Sequence, residues 1–95
     1  MQEPENRTAT TPLITPTIGR VVWYKPPPEE SDQFLPADIC YVWSDHMVNL
    51  SVSNKNGSKH GRTSVTFFHG SSDECPVGAC CWMPYQQKQA QKEAE

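Results

Sequence analysis

Four cysteines and three histidines are the residues whose types could hold a metal: Cys40, Cys75, Cys80, Cys81, His46, His60 and His69. Cys75, Cys80 and Cys81 could offer thiolates to zinc, with His69 or Cys40 as the fourth ligand. Structural zinc sites favour two paired knuckles, whereas this cluster is single and irregular. Adjacent cysteines on a strand face opposite sides, so Cys80 and Cys81 reach one metal only across a bulge. We expect buried, reduced thiols and no metal or other cofactor, with a zinc-stabilised small domain as the alternative.

Nucleophilic catalysis would need a nucleophile, a base and an orienting group in register. Cys75, His69 and Asp73 lie close along the chain, but nothing around them resembles a turn that would expose a nucleophile. The paired carboxylates Glu29-Glu30 and Asp73-Glu74 fall in predicted loops, where a solvated charge is the simpler interpretation. We expect a protein without catalytic activity.

A locally basic segment spans residues 54–62 and contains four residues suited to an anion: Lys55, Lys59, His60 and Arg62. Its two glycines allow the backbone to approach a phosphate closely. The spacing fits neither a P-loop nor a dinucleotide fingerprint. The segment is either the binding site for a small anionic ligand or a solvated, mobile hairpin loop.

Six large rings are many for so short a chain: Trp23, Tyr24, Tyr41, Trp43, Trp82 and Tyr85. The alternation of apolar and polar residues places Trp43 in the core, together with Val48, Leu50, Val52 and Val65. We expect Tyr24, Trp82 and Tyr85 to line a partner or oligomer interface, because a small barrel cannot bury every ring.

Composition excludes several classes of protein. Only 36% of the 95 residues are hydrophobic, the mean hydropathy is -0.66, and there are nine prolines. The net charge is -3 and the pI is about 5.5, which argues against binding to nucleic acid. No apolar run could span a membrane, and the N-terminus lacks the basic and apolar regions of a signal peptide. We therefore expect a cytosolic chain that is neither a coiled coil nor a helical bundle.

The chain divides into three parts. Residues 1–17 are rich in threonine and proline and are expected to form a disordered arm. Residues 18–84 carry five short apolar segments, at 18–24, 37–43, 47–53, 63–69 and 79–83, that read as strands. This pattern predicts an all-β fold, a five-stranded SH3-like barrel, with an OB-like barrel as the alternative. Residues 85–95 form a polar tail in which any helix would fray.

Short segments of the chain resemble a group of small tailed-bacteriophage proteins. They read GRVVWY at 19–24, LPA at 35–37, VW at 42–43, VNL at 48–50, TSV at 63–65 and CWMPYQ at 81–86. The resemblance covers nearly all of the foldable part. The resemblance implies a phage-encoded small β-barrel, but it does not indicate a mechanism.

These observations together predict a phage-encoded, non-catalytic binding module that acts on a host component in the bacterial cytoplasm. It would interfere with the host, or with host defence, by binding a host protein or by sequestering a small anionic ligand. We expect a homo-oligomer with no contact to membrane. The alternative is a minor virion or assembly protein.

Overall fold

The computed structural model describes residues 14–94, and side chains are described for residues 14–90. In chain order the elements are β1 (Val21–Tyr24), β2 (Leu35–Ser44), β3 (Met47–Ser53), β4 (Lys59–Phe68), a 3-10 helix (Ser72–Glu74), β5 (Cys80–Cys81) and helix α1 (Pro84–Ala94). No helix within this span is long and apolar enough to cross a membrane.

The five strands found in residues 14–94 close into a barrel in the order β1-β2-β3-β4-β5. The first four form an antiparallel meander. β5 closes the barrel by pairing antiparallel with β1 and parallel with β4. A 3-10 helix leads into β5, and a tight turn, without a helix, joins β3 to β4. The predicted all-β class and the small five-stranded barrel are thus confirmed, and the barrel is consistent with both the SH3-like and the OB-like form.

The observed strand bounds differ from the predicted ones most at β4. β3 covers residues 47–53 as predicted, because its alternation is unbroken. β4 begins at Lys59, four residues earlier than expected, since polar residues continue the ladder opposite β3. The predicted loop 54–62 therefore shortens to the turn 54–58, and three of its four candidate ligand-binding residues belong to a strand.

The prediction that Trp43 lies in the core is wrong. Its side chain is 58% exposed, and that of Tyr41 is 48% exposed. The register of β2 against β3 shifts between Ile39 and Tyr41, and this irregularity turns Tyr41 and Trp43 outward while Ile39 stays buried. The remaining predicted core residues, Val48, Leu50, Val52 and Val65, are all buried.

Two of the three rings predicted at an interface are instead core residues. Trp82 is 1% exposed and Tyr24 is 3% exposed, so neither forms part of the surface of the chain. Trp82 packs against Phe67 with ring centroids 4.9 Å apart. Only Tyr85, on the first turn of α1, is exposed.

Both ends of the described chain contact the barrel. Ile14 packs against the core and Pro16 is buried; residues 1–13 of the predicted disordered arm lie outside the described residues. In α1, the Gln86 side chain accepts a hydrogen bond from the Met83 N–H (2.8 Å) and donates one to the Val21 carbonyl (3.0 Å). These bonds attach the start of the helix to the barrel.

Candidate ligand-binding groove

A groove of about 410 Å³ opens where the β3–β4 turn faces the loop between β1 and β2. Its walls are formed by Glu30, Leu35, Asn54, Lys55, Asn56, His60 and Arg62. Leu35 begins β2, and His60 and Arg62 lie in the first half of β4, so the groove is at one mouth of the barrel. Barrel mouths of this volume are common places for small ligands.

The turn that carries Lys55 is fixed by its own hydrogen bonds. The Asn54 N–H donates to the Ser58 carbonyl (2.6 Å), and the Gly57 N–H donates to the Asn54 carbonyl (2.8 Å). Gly57 has a φ of +93°, which a residue with a side chain rarely adopts. The Asn54 amide nitrogen also donates to the Ser58 hydroxyl (2.8 Å). The turn therefore presents Lys55 from a defined backbone.

His60 and Arg62 belong to the inward side of β4. His60 pairs with Val52 and Arg62 pairs with Leu50, and both of these β3 residues are buried. Successive residues of a strand alternate between its two sides, so Lys59 lies on the outer side. The inward side of β4 is thus polar at the mouth of the barrel and apolar deeper in, at Val65 and Phe67.

The Arg62 guanidinium is held by three neighbours. Its Nη2 donates to the Glu30 carboxylate (3.0 Å), and its Nε donates to Nε2 of His60 (3.1 Å). Its Cζ lies 5.7 Å from the centre of the Tyr24 ring, a cation–π contact. Because an arginine N–H can only donate, the His60 Nε2 is the acceptor of this hydrogen bond. Arg62 is therefore held in place by contacts within the chain.

The loop that supplies Glu30 is fixed as well. The Glu30 N–H donates to the Pro27 carbonyl (2.9 Å), which closes a turn after the proline run. The buried Ser31 hydroxyl donates to the Gln33 carbonyl (2.9 Å) and accepts from the Gln33 N–H (3.0 Å). These contacts set the backbone on which the Glu30 carboxylate meets Arg62.

The two lysines predicted to bind a ligand have different environments. Lys59 forms an ion pair with Asp38 (3.1 Å) on the outer side of the barrel, away from the groove. Lys55 lines the groove, is exposed, and forms no ion pair with any of the side chains described, those of residues 14–90. The structure thus brings Lys55, His60 and Arg62 together and leaves Lys59 out.

Sequence reasoning missed two residues of this arrangement. Glu30 was interpreted as a solvated loop charge, yet it is the partner of Arg62, which lies 32 positions further along the chain. Tyr24 was assigned to an interface, yet its ring supports the guanidinium from the core. No local spacing signals either contact, since both depend on how β1 and β4 face each other across the barrel.

The adjacent cysteines face opposite sides of β5, as their spacing predicts. Cys80 packs in the main core, whereas Cys81 packs with Cys75 and Ala79 in a second cluster. Burial raises the pKa of the Cys80 thiol to about 12. A hydrogen bond from the Cys81 thiol lowers the pKa of Cys75, and the same bond, followed by burial, raises the pKa of Cys81. In the part of the chain that the structure describes, no three metal-ligating side chains converge.

The three residues considered for catalysis are engaged in separate contacts. Cys75 is 3% exposed, and its thiol donates to the Pro76 carbonyl (3.6 Å). His69 directs its Nε2–H to the Asp45 carbonyl, and its ring stacks on Phe67 at 4.7 Å. Asp73 is an exposed residue of the 3-10 helix. Their closeness along the chain is therefore not matched by a shared site.

The chain was compared with protein-family models, with curated proteins and with solved structures, and none of them matches it. The geometry of the groove is therefore the basis for a functional interpretation.

Proposed function

We propose that this protein is a non-catalytic binding module that holds a small anionic ligand in the groove formed by Lys55, His60, Arg62 and Glu30. The observation that carries the proposal is the contrast between its cations. Arg62 is already neutralised by Glu30, whereas Lys55 has no ion-pair partner among the described residues and lies over the same groove. A phosphate group would give Lys55 a charge-assisted hydrogen bond.

The remaining walls of the groove restrict the ligand further. One carboxylate oxygen of Glu30 accepts a hydrogen bond from Arg62, and the other can accept a hydrogen bond from a ligand hydroxyl or amine. Leu35 adds an apolar surface. The Asn56 side chain offers its amide group, because its oxygen already accepts from Ser58. These groups suit a small phosphorylated molecule with hydroxyl or amino groups, such as a nucleotide.

The biological role that follows is sequestration of this ligand. A bacteriophage protein with such a groove would act in the cytoplasm of the infected bacterium and withdraw the ligand from a host process. Binding alone is sufficient for this role, so no reacting group is needed at the groove. The resemblance of short segments to small phage proteins supports this setting, and the groove favours a small ligand over a host protein as the target.

The proposal is tested by titrating the 15N-labelled protein with AMP and with inorganic pyrophosphate, using adenosine as a neutral control. We expect both anions to shift the backbone amide signals of residues 54–62 and of Glu30, with adenosine causing much smaller shifts. Shifts confined to other regions, or no shift at millimolar anion, would overturn the proposal.

A further inference from the structure

A set of exposed apolar side chains, here called the strip, lies on the outer faces of β1, β2 and β3 and in the turn before β1, and none of them lines the groove. It consists of Ile18, Val21, Tyr41, Trp43 and Met47. In the described part of the chain seven large hydrophobic residues are exposed, and these five lie next to or within three neighbouring strands. Scattered exposed hydrophobic residues are ordinary, but a concentration of them on one face marks an interaction surface.

The strip is held in a defined conformation. The Tyr41 and Trp43 rings meet edge to face, with centroids 4.8 Å apart. The Trp43 Nε1–H donates to Oδ1 of Asn49 (3.0 Å), and the same oxygen accepts the N–H of Ser64 (2.8 Å). Ser64 has a φ of +54°, which is uncommon for a residue with a side chain. The backbone of β4 is thus adapted to a contact that fixes an exposed indole.

We propose that the apolar strip is the interface between two copies of this chain. The chain carries a net charge of -3, so two copies repel each other over most of their surfaces. None of the five strip residues is charged, and the Asp38 carboxylate opposite Val21 is paired with Lys59. The strip is therefore an uncharged face on which two identical acidic chains can meet.

The size of the strip fits a modest homodimer. If each of the five residues is assigned the same full surface of about 200 Å², a value typical of the larger side chains, their exposed fractions amount to roughly 500 Å². A standard interface buries about 800 Å² on each partner, and its apolar centre is surrounded by a polar rim. The strip matches the apolar centre of such an interface. A two-fold arrangement would place the same strip on both sides and close the assembly at two chains.

This dimer would leave both grooves open. Most of the strip lies near Met47, where β3 begins after the turn from β2. The groove lies beyond Ser53, where β3 ends. A strand of this length spans about 20 Å. Loss of the dimer therefore has no direct effect on the groove, and the inference does not depend on the proposed ligand.

Sedimentation velocity over a range from low to high micromolar protein tests the inference. The informative variants are Trp43→Ala and Tyr41→Glu. Tyr85→Ala and Tyr85→Glu are the matched controls, because Tyr85 on α1 is also an exposed ring and lies outside the strip. We expect wild type and both controls to dimerise. Both strip variants should raise the dimer dissociation constant at least about tenfold, as central aromatic residues do in interfaces.

Circular dichroism establishes that each variant is folded, which is expected because all the substituted side chains are exposed. A wild-type protein that remains monomeric at high micromolar concentration would overturn the inference. So would a dimer that the Tyr85 variants weaken as much as the strip variants do.

Discussion

Arg62 donates a hydrogen bond from Nη2 to Oε2 of Glu30 over 3.0 Å, and this single contact joins the two walls of the groove. Because the Glu30 carboxylate neutralises the Arg62 guanidinium, Lys55 carries the positive charge that is left for a ligand in the described groove. The geometry thus makes Glu30 a competitor of an anionic ligand as well as a structural partner of Arg62.

Replacement of Glu30 by glutamine should strengthen binding of pyrophosphate. The substitution removes a negative charge from the groove and releases part of the Arg62 guanidinium, so we expect an increase in affinity of about fivefold in isothermal titration calorimetry. Both side chains of the ion pair are more than a third exposed, and the free energy of unfolding should fall by less than about 1 kcal/mol. Glu29→Gln is the control, since it removes the same charge next to the groove; an equal gain in affinity there would refute the explanation.

Trp82 should act as a core residue in stability measurements. Trp82→Ala leaves a large cavity beside Phe67 and should lower the free energy of unfolding in urea by about 3–5 kcal/mol. Tyr85→Ala removes an exposed ring and should change it by less than about 0.5 kcal/mol. If Trp82→Ala does not fold, Trp82→Phe should show a smaller loss. Equal stability of wild type and Trp82→Phe would contradict the packing described here.

The stability of the fold should fall at alkaline pH because of Cys80. Its thiol has a pKa of about 12 in the folded chain, against an ordinary value of 9.0. Between these two pH values the thiol is ionised in the unfolded chain and neutral in the folded chain. The contribution of Cys80 to the free energy of unfolding is therefore fully present below pH 9 and is lost as the pH rises towards 12. The slope is about 1.4 kcal/mol per pH unit for one group.

Urea unfolding of wild type and Cys80→Ala between pH 8 and 11 measures this contribution. Cys75, Cys81 and the other titrating groups are present in both proteins, so the difference between the two slopes isolates Cys80. The variant should lose stability less steeply than wild type above pH 9. Parallel curves would show that Cys80 ionises as readily in the folded chain as in the unfolded one.

Removal of metal should leave the fold intact. Cys80 and Cys81 face opposite sides of β5, so they cannot bind one ion together in this fold. We expect the circular dichroism spectrum and the melting temperature to be unchanged by EDTA under reducing conditions. A loss of the β-sheet signal on chelation that zinc restores would favour a zinc-stabilised domain instead.

The parts of the fold that the sequence predicts are those that depend on local alternation. β3 was predicted to the residue because Val48, Leu50 and Val52 alternate with polar residues and no bulge interrupts them. The outward turn of Trp43 was not predicted, because a register shift in β2 depends on the pairing with β3 and leaves no mark in the composition of the strand. The contacts of Arg62 with Glu30 and Tyr24 at the barrel mouth were not predicted, because they too depend on how the strands are arranged in the closed barrel.

The candidate site was predicted in part. The basic segment 54–62 pointed to Lys55, His60 and Arg62, which do line one groove, but it also pointed to Lys59, which does not. The alternation of a strand separates Lys59 from His60, and treating the segment as a loop concealed that separation. Glu30 could be recognised only from the closed barrel.

Binding of a small phosphorylated ligand in the groove through Lys55 is best tested by two substitutions that each remove one positive charge. Lys55→Ala and Lys59→Ala each remove one positive charge from the β3–β4 region, but only Lys55 lines the groove. Isothermal titration calorimetry with pyrophosphate should show affinity reduced about tenfold for Lys55→Ala, the loss of one charge-assisted hydrogen bond. The affinity of Lys59→Ala for pyrophosphate should stay within about twofold of wild type, since the Lys59 ammonium forms an ion pair with Asp38. Equal losses for the two variants, or wild-type affinity in Lys55→Ala, would contradict the account.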